Sequence, residues 1–258
     1  MTIAGREIYR IYDPLGPIQV FDDGSRRVLA FGDNDEQSCL SLEHPYLLQH
    51  TYTRAMVLSL LFVEPSRILI LGLGGGCLPA FLHHHLLNSH VQVVELRQAV
   101  IDVAYRFFAL PRDSRLEVVQ SDVRRFFKQT VTGPVDLIMS DLFLSGGIDR
   151  HQFDTGYLEQ CYHRLSDQGW LVLNCWLEHR REQTSLRYLC ELFPDVRVCS
   201  TESGNWIIFA GKQPCAEDKK TLEKRVRKLS SRFGWSLMPQ FKQLQLYRER
   251  FSWSSILS

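Results

Sequence analysis

No stretch of the chain reaches the roughly 18 uncharged apolar residues that a membrane-spanning helix needs. The longest candidate, residues 57–71, is interrupted by Glu64, Pro65 and Arg67. The opening residues MTIAGREIYRIYD lack the apolar run of a secretory signal, so no membrane partner is expected. Seven cysteines occur without one C-x-x-C pair, and an odd number cannot all be bridged within one chain. Buried thiols in a reducing, cytoplasmic setting are the expectation. Absent too are H-E-x-x-H, G-x-S-x-G and a glycine loop ending in Lys-Ser/Thr. That removes the common metalloprotease, α/β-hydrolase and P-loop readings.

What is present is a chain of 258 residues, 45% hydrophobic and 23% charged. This fits one globular domain with at most a small appendage, and its core needs no disulfide or metal staples. The net charge of +1 hides an asymmetry. Residues 211–258 carry eleven Lys/Arg against four Asp/Glu, whereas the rest carries nineteen against twenty-five. An acidic body with a basic tail is not the footprint of a general nucleic-acid binder.

Residues 8–12, 18–22 and 27–31 are short β-type runs between Asp-Pro, Gly-Pro and Asp-Gly turns, predicting a small N-terminal β unit over 1–43. A helix is predicted over 45–62, with Pro45 in its first turn. From Arg67 strands and helices alternate. Strands are expected at 68–71, 91–94, 116–119, 135–140 and 170–174, then an antiparallel pair at 196–200 and 206–210. The fold class is therefore α/β, a Rossmann-like doubly wound sheet over 44–211. Residues 212–258 form a basic C-terminal extension with a helix at 217–229 and no strand. Its aromatics, from Phe233 and Trp235 to Phe251 and Trp253, predict packing onto the body, with ion pairing as a docking force.

The strongest chemical signal is Gly72-Leu73-Gly74-Gly75-Gly76, directly after the first parallel strand and opening a helix. Glycines there let the chain turn tightly and let a ligand approach the backbone. Cys77 leaves G-x-G-x-x-G incomplete, which counts against a nicotinamide dinucleotide. Glu95 ends the second strand, 23 residues after Gly72, where a carboxylate accepts both hydroxyls of a ribose. Asp122, after the third strand, suits an adenine amino group and equally an N-cap of the next helix. Asp141 follows the fourth strand, at the mouth of the cleft that open α/β sheets present, and Ser145-Gly146-Gly147 after it reads as a flap. His83-His84-His85 are successive on a helix, so their side chains splay apart and no metal site is expected.

Together these positions resemble the spermidine synthase (polyamine aminopropyltransferase) family, whose catalytic domain has the class I S-adenosylmethionine methyltransferase fold. The resemblance spans roughly residues 18–211 and includes Glu36-Gln37-Ser38, the glycine loop, Glu95, Ser121-Asp122 and the strand ending at Asp141. It implies S-adenosylmethionine or its decarboxylated form as co-substrate, without metal, and a homodimer. Gly72, Gly74, Gly75, Gly76, Glu95, Asp122 and Gln37 would bind the donor. Asp141 would orient the acceptor or act as base, and Tyr46 would close the site as the gate tyrosine.

Three departures bear on the reaction. The family's loop carries Asp where this chain has Gly75, the second Asp of its D-x-x-D is Leu144, and the residue after the gate tyrosine is Leu47. An Asp in the loop would repel the α-carboxylate of intact S-adenosylmethionine, whereas Gly75 would offer backbone N–H groups to it. The reading is therefore methyl transfer to an acceptor left open among small amine, protein and RNA. Aminopropyl transfer, with Asp149 or Asp154 recruited, and a non-catalytic nucleoside-binding module stand as alternatives.

Overall fold

The computed structural model describes residues 3–32, 35–129, 133–144, 147–148 and 150–247. Ser145, Gly146, Asp149, Phe251 and Trp253 lie outside these residues. In chain order the elements begin with β1 (Arg6–Asp13), β2 (Gly16–Asp22), β3 (Arg26–Phe31) and β4 (Asp35–Ser41), an antiparallel sheet in that order. Its two-residue alternation puts Ile18 and Val20 of β2 and Leu29 and Phe31 of β3 on one face. They pack against Val100, Val103 and Phe108 of the main α/β unit. Arg97 pins the join: its guanidinium donates to both carboxylate oxygens of Asp13 at 2.8 Å and to the Gly16 carbonyl, and lies over the Phe31 ring.

α1 (Thr51–Met56) continues into a 3₁₀ turn at Val57–Leu61. The helix expected from residue 45 thus starts six residues later. Leu47 N–H closes a turn on the His44 carbonyl, and the first α-type bond runs from Arg54 N–H to His50. The last turn tightens where the Ser59 hydroxyl takes the Met56 carbonyl.

Then follow β5 (Arg67–Leu71), α2 (Cys77–His85), β6 (His90–Glu95), α3 (Gln98–Phe107), β7 (Leu116–Gln120), α4 (Val123–Gln129) and β8 (Val135–Ser140). Two-residue strands β9 (Phe143–Leu144) and β10 (Gly147–Ile148) pair with each other. The series ends with α5 (Thr155–Arg164), β11 (Leu165–Trp176), α6 (Gln183–Leu192), β12 (Asp195–Ser200), β13 (Asn205–Gly211), α7 (Lys219–Phe233), α8 (Met238–Gln243) and β14 (Leu244–Leu246). The main sheet has the order β14-β12-β13-β11-β8-β5-β6-β7, parallel from β11 to β7. It is the expected doubly wound, Rossmann-like sheet. β5 is buried on both faces: Ile68 and Ile70 belong to the core on one side, Leu69 and Leu71 to the core on the other. Strand order reverses between β5 and β8, which opens a cleft at their carboxyl ends.

The C-terminal extension corrects two expectations. It contributes a strand, since β14 pairs antiparallel with the edge of β12. Among the described residues apolar burial, not ion pairing, seats it: Leu222, Val226, Phe233, Leu237 and Phe241 all enter the main core. Each such side chain contributes about 1.5–3 kcal/mol on burial, against about 0–1 for an exposed ion pair. The Arg225–Glu217 pair is internal to the extension, and Arg225 reaches the body by donating to the Leu61 carbonyl.

Candidate functional site

The cleft at the carboxyl ends of β5–β8 is closed by β4 on one side and by the start of α1 on another, making a single cavity. Its floor depends on Gly72, whose φ of +95° suits glycine and whose missing Cβ leaves room for the chain crossing at Asp141. A Cβ there would stand 2.2 Å from the Asp141 carbonyl oxygen, so no other residue fits.

Glu95 reaches the cavity from the end of β6 and is buried. Its carboxylate is held by backbone alone: Oε2 accepts from Leu73 N–H at 3.0 Å and Oε1 from Arg97 N–H at 2.8 Å. Burial pushes this carboxyl up, while those two N–H groups and the Arg97 charge pull it back. Further lone pairs on each oxygen suit a cis-diol. Asp122 lines the same cavity and accepts from Arg124 N–H at 2.7 Å, so it opens α4 and faces the site at once. Gln37 and Gly74 also line it.

Gly75 and Gly76 do not, and this is a correction. Gly75 N–H donates to the Ser38 hydroxyl at 2.8 Å, and a Cβ at residue 75 would meet Phe108 and Ser38 within 3 Å. Gly76 N–H closes a turn on Leu73, and its Cα faces Leu110. The two glycines serve loop packing and offer no free donors to a ligand carboxylate. Ser38, which sequence reasoning quoted only as part of a motif, fixes the loop from β4.

Asp141 lies where β8 ends, at the cavity wall. Burial pushes its carboxyl up to about 6, restrained by hydrogen bonding from Asn174 and Tyr52. Asn174 Nδ2 donates to Asp141 Oδ1 at 2.7 Å. Tyr52, on the first turn of α1, lines the cavity and is held un-ionised by burial and by the Asp141 charge.

Tyr46, expected as the gate, stands elsewhere: it is 36% exposed and stacks on His84 with ring centroids 4.0 Å apart. The displacement follows from the late helix start, which brings Tyr52 and not Tyr46 to the site. The signal for Tyr52 was its place just before the apolar run at 55–61; the boundary error concealed it. Asn174 ends the run Leu171-Val-Leu-Asn174 on the strand expected at 170–174, which likens the chain to spermidine-synthase-like methyltransferases but gives this side chain no place in the site.

Among the described residues no group of three or more His, Cys, Asp or Glu could hold a metal ion. The three successive histidines diverge. His83 is buried against Arg115 and Asp113, His84 meets Tyr46, and His85 packs on Phe81 and Phe233 with its pKa lowered to about 4 by burial. Cys77 lines the cavity, but burial raises its thiol to about 12, so it is no nucleophile at neutral pH. His151, bonded to Asp154 at 2.6 Å, lines the cavity near Phe143.

The chain is similar to proteins of known family and structure. It is 30% identical over 234 residues to the polyamine aminopropyltransferase of Chromobacterium violaceum, covering 89% of each chain. It is 31% identical over 166 residues to the eEF1A lysine and N-terminal methyltransferase homolog of Drosophila melanogaster, covering 59% of this chain and 24% of that one. Among solved structures it resembles a probable spermidine synthase from Corynebacterium glutamicum, with TM-score 0.76 and 20% identity over 96% of this chain and 92% of the other. A spermidine synthase in complex with the transition state analogue AdoDATO gives TM-score 0.70 at 19% identity, over 92% and 84%. Human methyltransferase-like protein 13 in complex with SAH gives 0.65 at 21%, over 81% and 100%. These structural likenesses concern the fold. Residues 49–217 match the model of the spermine/spermidine synthase domain, and the chain belongs to that family.

Proposed function

We propose that the chain transfers the aminopropyl group of decarboxylated S-adenosylmethionine to an amine. One observation carries this reading: the half-buried carboxyl of Asp141, bonded by Asn174 and pushed up to about 6, shares one cavity with Tyr52 and the Glu95 carboxylate. An alkylamine with pKa near ~10 is about one part in a thousand free base at pH 7, which costs about 4 kcal/mol before any bond forms. A neighbouring proton acceptor addresses that cost.

In this reading Glu95 takes the ribose hydroxyls, Asp122 the adenine amino group, and the Gly72–Gly74 turn the chain beyond the sulfur. Tyr52 and Gln37 close over the reacting atoms. The acceptor nitrogen attacks the methylene next to sulfur, the C–S bond breaks, and sulfur keeps the electron pair as the thioether of methylthioadenosine. The proton lost by nitrogen passes to Asp141. Because the sulfonium is already a good leaving group, alignment supplies much of the remaining acceleration.

Methyl transfer, the reading favoured by sequence alone, loses its main support because Gly75 N–H is already bonded to Ser38. The relative matched along nearly its whole length is also an aminopropyltransferase. What still favours methyl transfer as the second reading is the missing carboxylate at residue 75 and Leu144 in place of the second Asp. Purified protein incubated with 1,4-diaminobutane and either donor separates the readings by mass spectrometry. Methylthioadenosine and a product heavier by one aminopropyl group are expected from the decarboxylated donor. S-adenosylhomocysteine from the intact donor would reverse the assignment, and donor binding without any product would mark a binding module.

A further inference from the structure

A chain of side-chain hydrogen bonds begins at the start of α1 and ends on Asp141. Thr51 Oγ1 lies 2.9 Å from Ser203 Oγ, a contact between residues 152 positions apart. The Ser203 hydroxyl donates to Asn205 Oδ1 at 2.9 Å. Asn205 Nδ2 donates to Asn174 Oδ1 at 3.1 Å, and Asn174 Nδ2 donates to Asp141 Oδ1 at 2.7 Å. Asn174 is fully buried and Asn205 nearly so.

The polarity of this chain is fixed. A carboxylate accepts only, so Asn174 presents its NH₂ to Asp141 and its oxygen to Asn205. Asn205 must then turn its own NH₂ inward and its oxygen towards Ser203. Ser203 spends its single proton on Asn205, which leaves Thr51 and Thr201, each with its hydroxyl 2.9 Å away, as donors to Ser203. Every donor points the same way, and the last acceptor is the anion. Bonds aligned in this sense polarise one another in the favourable direction. A second arm fixes the backbone: Gln152 Nε2 donates to the Asn174 carbonyl, and Ser140 donates to Gln152 Oε1.

Thr51 is followed by Tyr52, which lines the same cavity as Asp141 and whose hydroxyl donates to the Gln37 carbonyl at 3.5 Å. We propose that Asn174 and Asn205 are positioning residues which, through Ser203 and Thr51, hold Asp141 as an oriented carboxylate and register Tyr52 of α1 against it. The inference rests on Asp141 being the proton acceptor of the proposed reaction. It makes the turn between β12 and β13, outside the cavity lining, part of the machinery.

The titratable groups sharing the cavity with Asp141 are Cys39 from β4, Tyr52 and His50 from the α1 side, Cys77 from α2, and His151. Glu95, Arg97, Asp122 and Arg124 occupy the β6–β7 side. Tyr52 is the titratable group whose hydrogen bonding lowers the Asp141 carboxyl; the other restraint is neutral Asn174. Removing Asn174's NH₂ therefore raises the Asp141 pKa, because the lost bond favoured the charged form.

The test is a ¹³C carboxyl titration of Asp141 in wild type, Asn174→Leu and Asn205→Ala, read beside the pH profile of kcat/KM with the decarboxylated donor. Asn174→Leu should move the Asp141 midpoint up by about one pH unit, and the acidic limb of the profile with it. Asn205→Ala frees the Asn174 amide to turn over and should shift both in the same direction by less. Ser203→Ala, on an exposed turn that spares the core, should give the smallest shift of that sign and serves if the buried variants fail to fold. A midpoint unchanged in the variants that fold overturns the circuit. A midpoint that moves while the pH profile stays still leaves the circuit standing and instead refutes Asp141 as proton acceptor.

Discussion

The two walls of the cavity are built by different means. On the donor side Glu95 is held by two backbone N–H groups, from Leu73 and Arg97, both within 22 residues of it. On the acceptor side Asp141 is held by a side chain, Asn174 of β11, from 33 residues after it, and shares the cavity with Tyr52 of α1, from nearly ninety before it. A backbone-held carboxylate tolerates substitution around it because every residue but proline supplies the N–H. A side-chain-held one depends on the identity of each partner. The donor wall should therefore read as robust and the acceptor wall as sensitive.

The largest test of that contrast is Asp141→Asn, which should lower transfer about a thousandfold while leaving donor affinity nearly unchanged. The same variant has a stability signature. Burial pushes the native carboxyl up to about 6, above the roughly 3.9 of an unfolded aspartate. Between about pH 4 and 6 the folded state holds a proton that the unfolded state has lost, so stability falls as pH rises through that window. Asparagine removes the fall, and the variant should be more stable at pH 7.5 by about 2 kcal/mol, or a few degrees in Tm. Equal Tm values at pH 7.5 would mean that Asp141 is solvated like a surface carboxylate.

Next in size, Glu95→Ala should weaken nucleoside binding by about 1–3 kcal/mol, roughly ten- to a hundredfold in Kd by calorimetry. An unchanged Kd would place the ribose elsewhere. The acceptor wall is sharpened by a tyrosine pair. Tyr52→Phe should reduce kcat about tenfold through the lost hydroxyl, whereas Tyr46→Phe should stay within about twofold. The reverse ranking would restore Tyr46 as the gate. Smallest for catalysis is Gly75→Ala: the added methyl meets Phe108 and Ser38, so Tm should fall by a few degrees, about 1–3 kcal/mol, without a change in donor preference. A shifted preference at unchanged Tm would return residue 75 to the ligand.

The inner parallel strands were legible because each centres on a short apolar run, and burial on both faces demands that pattern, while the edge strand β7 keeps only Leu116 buried. The β1–β3 unit was legible for its turns. β4 was not read as a strand, because a bulge opposite Leu29 and Ala30 and the polar run Asp35–Ser38 break its alternation. Nor was β14, whose three residues gain their strand only by meeting the edge of β12. The tail's described residues make no ion pair to the body, contrary to the expected ionic docking, for a related reason. Lys and Arg dominate its composition, but the apolar positions between them reach the core and outweigh exposed charge.

By itself the sequence determined the α/β alternation, the glycine turn, and the carboxylates at strand ends, since each depends on neighbours a few residues away and on rules of local geometry. Tertiary structure decided which glycines face a ligand, which tyrosine reaches Asp141, and how Thr51, Ser203, Asn205 and Asn174 connect to it. Those outcomes turn on where a helix begins and on contacts across up to 152 residues. A hydrogen bond between distant side chains leaves no periodicity in the chain; it exists only once packing has fixed both partners.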